Sequence, residues 1–254
     1  MEQVFNPFSL EGKTILITGA SSGIGRQCAI DCSKMGAKVI AIGRDETRLQ
    51  AVLSEMNGAC AIRKYDLDDL EGINGLVKSI VDEHGKLDGF IHAAGIEVTA
   101  PVKLLSPSDY EAVYRTNVLS AVEIVKSLTG ILTFNKGGSI VLISSISGVI
   151  ARTGLCAYAA SKGALVSASR VMALEMSHRG IRVNTISPGT VMTPMMQRAL
   201  DAMSPSDRAK RVDNFPLGLG QPSDISGACV FLMSDAARWI TGHNLIIDGG
   251  YTIQ

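Results

Sequence analysis

Short strand-like segments alternate with helical patterns along almost the whole chain, and this alternation restricts the fold more than any other feature. Seven strands are predicted: KTILIT (13–18), AKVIAIG (37–43), ACAIRKYDL (59–67), LDGFIHAAG (87–95), GSIVLISS (138–145), IRVNTIS (181–187) and HNLIIDGG (243–250). Strands that alternate with helices join through β–α–β crossovers, so we expect one parallel sheet. Because several strands are apolar at consecutive positions, helices are expected to cover both faces of that sheet.

Six helices are predicted between these strands, at residues 22–35, 45–56, 69–84, 106–132, 156–179 and 221–235. Asp45 is a suitable N-cap for the second of them. Residues 188–220 form an irregular segment with short helical pieces, which is too long for a plain connection. We therefore predict an α/β single domain over 1–254, doubly wound, with a substrate lid within 188–220.

Composition excludes several classes of function. Formal net charge is zero, from 24 basic and 24 acidic residues, so no basic stripe favours nucleic-acid binding, and a neutral surface favours self-association. The N-terminal MEQVFNPFSLEGK has no leader pattern, and no apolar run approaches the ~20 residues of a membrane span. Five cysteines show no metal-like grouping. These features predict a cytoplasmic protein with no bound metal, no membrane partner and no nucleic-acid partner.

TGASSGIG (18–25) joins the first predicted strand to the first helix. Its glycines, Gly19, Gly23 and Gly25, give the backbone freedom that lets a pyrophosphate approach the N–H groups at a helix start. The spacing is G-x-x-x-G-x-G rather than the general G-x-G-x-x-G. A purely structural tight turn is the alternative, but the position between strand one and helix one favours dinucleotide binding.

The end of the second strand distinguishes the two nicotinamide dinucleotides. It reads Ile42, Gly43, Arg44, so no carboxylate ends the strand, and the Arg44 guanidinium suits a 2′-phosphate. NADP is therefore favoured, although Arg44 as a solvated residue and Asp45 as a ribose ligand leave NAD open. Asp66, at the end of the third strand, is expected to contact the adenine.

YAASK (158–162) places a phenol and an ammonium group four residues apart on one helix face. A neighbouring cation is expected to lower the pKa of the Tyr158 phenol, which makes Tyr158 a candidate general acid or base beside Lys162. Ser145 ends the fifth strand, 13 residues before Tyr158, and Asn117 lies within the long helix that precedes it.

These motifs together resemble the short-chain dehydrogenase/reductase (SDR) family, and most closely its 3-oxoacyl-carrier-protein reductase-like members. The resemblance covers nearly the whole chain, in order: TGASSGIG, HAAG (92–95), Asn117, ISS ending at Ser145, YAASK, SPG (187–189) with Thr193, and TGHNLIIDGG. It implies a Rossmann fold and an NAD(P)-dependent oxidoreductase. Hydride would pass between the nicotinamide and a carbonyl or secondary alcohol.

The resemblance also implies roles for individual residues. Tyr158 would exchange the proton with the substrate oxygen, while Lys162 would lower its pKa and bind the nicotinamide ribose. Ser145 would orient the carbonyl, and Asn117 would support a proton-relaying water. Thr193 would hold the nicotinamide amide. The full expected cofactor site is Gly19, Ser21, Ser22, Gly23, Ile24, Gly25, Arg44, Asp66, Leu67, Ala93, Ala94, Gly95, Tyr158, Lys162, Pro188, Gly189, Val191 and Thr193.

One departure from the family pattern stands at residues 92–95. The family usually has Asn-Asn-Ala-Gly where this chain has His92-Ala93-Ala94-Gly95. His92 is interpreted as a hydrogen-bonded structural residue, with a pH-sensitive group as the alternative.

The substrate is less constrained than the chemistry. The pocket is expected between 150–156, 96–98 and 191–215, where several methionines form either an adaptable apolar wall or the buried face of a short helix. An acyl thioester, a sugar or polyol, a steroid and an anion meeting Arg152 remain alternatives. A non-catalytic NADP-binding sensor or scaffold is the alternative class. By the resemblance, a homotetramer or a dimer would form through the helices carrying Asn117 and Tyr158 and through the C-terminal strand.

Overall fold

A computed structural model describes residues 6–254 and contains one parallel sheet of seven strands. The strands are β1 (Thr14–Thr18), β2 (Lys38–Gly43), β3 (Ala61–Lys64), β4 (Leu87–His92), β5 (Phe134–Ile143), β6 (Arg182–Pro188) and β7 (Asn244–Ile247). They lie in the order β3-β2-β1-β4-β5-β6-β7, and every pairing is parallel. The predicted doubly wound Rossmann fold is confirmed.

Strand order reverses between β1 and β4, which are hydrogen-bonded neighbours although two strands and three helices separate them in sequence. The connections from these two strands leave toward opposite sides of the sheet. A crevice therefore opens at their carboxyl ends, and ligands of open α/β sheets bind in such a crevice.

Nine α-helices accompany the sheet in the described residues. They are α1 (Gly23–Lys34), α2 (Glu46–Leu53), α3 (Ile73–His84), α4 (Pro107–Tyr114), α5 (Ser120–Leu128), α6 (Cys156–Met176), α7 (Pro194–Asp201), α8 (Pro205–Asp213) and α9 (Pro222–Met233). Successive side chains of β1 show why both layers are needed. Ile15 and Ile17 pack in the core with α1 and α9, whereas Leu16 packs in the opposite core with α3, α5 and α6.

Several elements differ from the sequence-based expectation; β3 ends at Lys64 rather than 67, and α3 begins at Ile73 rather than 69. The helix predicted over 106–132 is interrupted by one π-helical turn, Arg115–Leu119, between α4 and α5. The turn carries no glycine or proline, and apolar periodicity gives no signal for a single extra residue. Strand β5 begins at Phe134 rather than 138, because the buried Phe134 pairs with Leu87 before the register shifts to the pairing of Gly89 with Ser139.

The segment 188–220 is built around two short helices. Thr193 caps α7 and Ser204 caps α8, and each helix has a proline in its first turn. These caps satisfy free N–H groups in a stretch with little apolar core of its own. Among the described residues, no helix combines the length and apolar character needed to cross a membrane.

Candidate active site

In the glycine turn after β1, the backbone of Gly19 lies against the backbone of Ala93 and Ala94, and any side chain at Gly19 would push the two apart. Gly19 has φ +66°, and a Cβ there would come within 2.6 Å of the Ala94 nitrogen. Gly23 opens α1, and its N-cap Ser22 makes no side-chain capping bond. The first N–H groups of α1 therefore stay free for an anion, and the helix dipole favours one at this point.

A cavity of about 760 Å³ extends from this turn across the carboxyl edge of the sheet. Eighteen of the residues predicted to act in catalysis or cofactor binding line it: Gly19, Ser21, Ser22, Gly23, Ile24, Arg44, Asp66, Leu67, Ala93, Ala94, Gly95, Ser145, Tyr158, Lys162, Pro188, Gly189, Val191 and Thr193. Gly25 and Asn117 lie behind this surface. Gly25 packs against the Gly19 carbonyl, so its lack of a side chain lets α1 approach the turn.

Two arginines flank the cavity beyond β2. Arg44 is exposed, and Arg48 joins it in lining the same wall. The Asp45 carboxylate is already engaged, because Oδ1 accepts from the Arg48 backbone N at 3.0 Å and Oδ2 pairs with Arg48 Nε at 3.1 Å. The carboxylate that could favour NAD is thus used in capping α2.

Tyr158 and Lys162 occupy consecutive turns of α6, as predicted from their spacing. Lys162 Nζ lies 5.6 Å from the centroid of the Tyr158 ring and donates to the Ile143 carbonyl at 2.9 Å. Glycines allow the loop after β5 to pack closely against α6 beside these two side chains. A Cβ on Gly148 would come within 2.7 Å of the Gly163 nitrogen and of the Lys162 carbonyl carbon.

Burial controls the protonation of both groups. It raises the pKa of Tyr158 to about 12, the charge of Glu97 adds to this, and the Ser145 hydroxyl acts against it. Burial lowers the pKa of Lys162 to about 8. The expected lowering of the phenol pKa by the ammonium is therefore not found in the protein alone, because burial and the charge of Glu97 raise this pKa more than the Ser145 hydroxyl lowers it.

Asn117 joins the loop after β4 to α6 through side-chain hydrogen bonds. Its Oδ1 accepts from Ile96 N at 2.8 Å, and its Nδ2 donates to Ile96 O and to Ser161 Oγ, both at 3.0 Å. Ser161 Oγ in turn donates to the Tyr158 carbonyl at 2.7 Å. Because both amide hydrogens are used, a water relay at Asn117 would have to employ the backbone of the π-helical turn.

His92, the last residue of β4, is fully buried. Its Nδ1 lies 2.9 Å from Thr18 Oγ1, which ties β4 to β1. Burial, reinforced by the charge of Lys162, lowers the pKa of His92 to about 3. The ring is therefore neutral at physiological pH, and the interpretation as a structural histidine holds over that of a pH-sensitive group.

A second cavity of about 730 Å³ adjoins the first and shares four lining residues with it. Some methionines of the segment 191–215 form cavity wall and others do not, so neither of the two alternatives for them holds alone. Met195 and Met196 line the first cavity and Met203 lines the second, whereas Met192 lines neither. Leu200, between them, is buried. The short helices α7 and α8 thus serve partly as packing and partly as cavity wall.

Six charged residues of these cavities were not singled out from the sequence: Arg48, Asp68, Glu97, Arg198, Asp207 and Arg211. Arg48 lies in the first turn of α2, three residues after the N-cap Asp45, so its closeness to the end of β2 could have been inferred from the predicted cap. Glu97 stands two residues after Gly95 in a loop without periodicity. Arg211 reaches the site only because α8 folds back over it.

Comparison with known proteins finds relatives that match nearly the whole chain. The family model described as enoyl-(acyl carrier protein) reductase matches residues 19–252. A D-threitol dehydrogenase of Mycolicibacterium smegmatis is 34% identical over 97% of this chain and 95% of its own length. The 3-oxoacyl-[acyl-carrier-protein] reductase of Thermotoga maritima is 32% identical, with coverages of 96% and 99%.

A solved structure from Agrobacterium tumefaciens has a similar fold. It is described as a candidate 2-deoxy-D-gluconate 3-dehydrogenase with bound NADP. Its TM-score is 0.86 at 29% identity, covering 98% of this chain and all of the other.

Proposed function

The chain belongs to the short-chain dehydrogenase/reductase family, and from this we propose an NADP-dependent enzyme that interconverts a carbonyl and a secondary alcohol on a small molecule. The family assignment makes it an oxidoreductase of 3-oxoacyl-carrier-protein reductase-like type. One observation carries the finer proposal: Ser145, Tyr158 and Lys162 line the same cavity as the glycine turn.

The residues present fit a nicotinamide dinucleotide. The glycine turn and the free start of α1 suit the pyrophosphate, Arg44 and Arg48 suit a 2′-phosphate, and Lys162 suits ribose hydroxyls. When bound, the nicotinamide supplies or accepts the hydride.

The protein contributes orientation and the proton. Tyr158, with its pKa near 12, carries its proton at neutral pH, which is the state needed to protonate a carbonyl oxygen. The Ser145 hydroxyl, beside that phenol, holds the same oxygen in place. In the alcohol-oxidising direction Tyr158 acts as a phenolate, which a charged Lys162 stabilises, and it becomes a phenol when it accepts the proton of the alcohol.

The substrate class remains a proposal. A 3-oxoacyl thioester and a sugar or polyol each correspond to a relative of this chain, a reductase and a D-threitol dehydrogenase respectively. We also propose that α7 and α8 act as the substrate lid, because Met195, Met196 and Arg211 on these helices line the cavity that holds Tyr158.

The test is the exchange of Tyr158 for phenylalanine, which removes the proton and keeps the ring. Turnover of a panel of ketones, 3-oxoacyl thioesters and polyols, followed at the nicotinamide absorbance, should fall by about 10²–10⁴-fold. Binding of NADPH, measured by calorimetry, should be retained.

Two results would count against the proposal. Full turnover in Y158F would show that another group supplies the proton. NADPH binding by the unmodified protein with no turnover on any member of the panel would favour a cofactor sensor or scaffold.

A further inference from the structure

Two arginines stand where the two cavities meet. Four residues line both cavities, namely Ser147, Arg152, Thr190 and Arg211. Arg152 lies in the loop before α6, and Arg211 lies on α8. The junction is therefore formed by the catalytic loop on one side and by the segment 188–220 on the other.

Neither arginine has an anionic partner in the part of the chain that the structure describes. Arg152 makes no hydrogen bond or ion pair there, and Arg211 donates only to Thr190 Oγ1, through Nη2 at a long 3.4 Å. The Arg211 Nε is shielded from solvent and has no hydrogen-bond acceptor. A covered guanidinium N–H without an acceptor is costly, so a ligand that accepts from it would be strongly favoured.

The acidic residues nearby do not neutralise this pair. Asp207, one turn before Arg211 on α8, lines only the second cavity, and its Oδ2 accepts from the N-cap Ser204 Oγ at 2.7 Å. Glu97 lies in the first cavity, where its charge acts on Tyr158 and its Oε1 accepts from Thr99 Oγ1. The site therefore has negative charge at the reacting end and positive charge at the junction.

From this arrangement we propose that Arg152 and Arg211 bind an anionic group, a carboxylate or a sulfonate-like oxyanion, at the end of the substrate remote from the reacting carbon. The inference rests on the proposed function, since it places the reacting carbon at Tyr158. The first cavity, which contains Tyr158 and extends to the junction, is also lined by Ile96, Leu155 and Met196, whose apolar surfaces suit the chain that joins the two ends.

The experiment uses secondary alcohols of increasing chain length that differ only in their terminal group: methyl, amide, carboxylate or sulfonate. For each, kcat/KM is measured with NADP, and the dissociation constant is measured by calorimetry with the cofactor-loaded protein. The two anionic series identify which oxyanion the arginines prefer, and the amide series separates polarity from charge.

We expect an anionic series to be preferred over the methyl and amide series at one chain length. In R211Q the ratio of anionic to neutral kcat/KM should fall by about 10–100-fold, the effect of losing a charge-assisted hydrogen bond. R152Q should lower the same ratio, and R211K, which keeps charge but loses the planar fork, should lie between. The matched control is R208Q, an exposed arginine of α8 that lines neither cavity.

Equal use of neutral and anionic alcohols by the unmodified protein, or an unchanged ratio in both R152Q and R211Q, would overturn the inference while leaving the oxidoreductase function standing. If no alcohol were turned over, the calorimetric ratio would still decide the matter. Tighter binding of the anions that depends on Arg211 supports the subsite, and equal binding refutes it.

Discussion

At the scale of single residues, we propose that Arg44 and Arg48 distinguish NADP from NAD. Both border the same wall of the cavity, and Asp45 is held by Arg48 rather than left to bind ribose hydroxyls. In R44D we expect the ratio of NADPH to NADH affinity to fall by about 10–100-fold, because a favourable contact becomes a repulsive one. Fluorescence titration with both nucleotides measures the ratio.

R48D is the companion variant for this prediction. It should shift the ratio in the same direction and also weaken the start of α2, which thermal unfolding would detect. An unaltered ratio in R44D, R48D and the double variant would mean that neither arginine reads the 2′-phosphate.

Lys162 is a second residue whose burial has measurable consequences. Its pKa is about 8 in the folded protein against 10.5 in the unfolded chain, so between these values the unfolded state binds more protons. Stability should therefore rise with pH across that window, by about 3 kcal/mol in total from a shift of this size. Below pH 8 both states are charged and the contribution is flat.

The comparison for Lys162 is Lys162→Met, which is unbranched and one heavy atom shorter and removes the charge. K162M should lose this rise and be more stable than the wild type at pH 7, while losing activity. Urea unfolding of both proteins at several pH values tests it. Parallel pH profiles would show that Lys162 is not desolvated.

Local spacing made part of the site predictable from the sequence. Tyr158 and Lys162 were placed together because positions i and i+4 share a helix face, which needs no knowledge of the fold. The direction of the Tyr158 pKa was predicted wrongly, because burial is a property of the assembled wall and has no local signal. Arg211 meets Thr190 only through the packing of α8, and the sequence gives no register for that contact.

At the scale of elements, the contact between the loop after β5 and α6 fixes the distance from Ser145 to Tyr158. Gly148 permits it, since a Cβ there would press on the backbone of Lys162 and Gly163 at 2.7 Å. G148A should push the loop away from α6 and misplace the Ser145 hydroxyl. We expect kcat/KM to fall at least about tenfold, since misplacement by ~1 Å has effects of that order or larger.

Gly163 offers a matched control on the other side of the same contact. A Cβ at Gly163 would lie 3.4 Å from the Gly148 carbonyl, an ordinary contact. G163A lies within a helix, so it should be neutral or raise stability by roughly 0.5–1 kcal/mol. Steady-state kinetics and thermal unfolding of the two variants separate the effects. Equal activity in both would show that the close approach at Gly148 does not set the catalytic geometry.

The order of elements was far more predictable than their interruptions. Buried strands such as β1 and β5 are recognised by apolar composition, and their parallel pairing follows from the helices between them. The π-helical turn at Arg115–Leu119 was missed because no glycine or proline marks it in the sequence. That turn places Asn117 against Ile96, so the missed feature belongs to the site itself.

At the scale of the whole molecule, an apolar surface remains uncovered along α6. Val171 and Leu174, three residues apart on this helix, are 56% and 78% exposed, and Leu119 of the π-helical turn is 44% exposed. Near the C-terminus, Trp239 and Ile253 are 96% and 87% exposed. Apolar side chains grouped on one helix face are typical of an interface between subunits.

Two separate apolar surfaces on one chain suit a tetramer with two kinds of twofold interface. We expect light scattering after gel filtration to give four times 26.8 kDa. The double change V171E/L174E buries four like charges at one twofold contact, so it should yield dimers held by the C-terminal surface. L104E, which alters a 67% exposed leucine of the segment before α4, is the control and should remain tetrameric. A monomeric wild type, or an unchanged mass in the double variant, would show that α6 is not an interface.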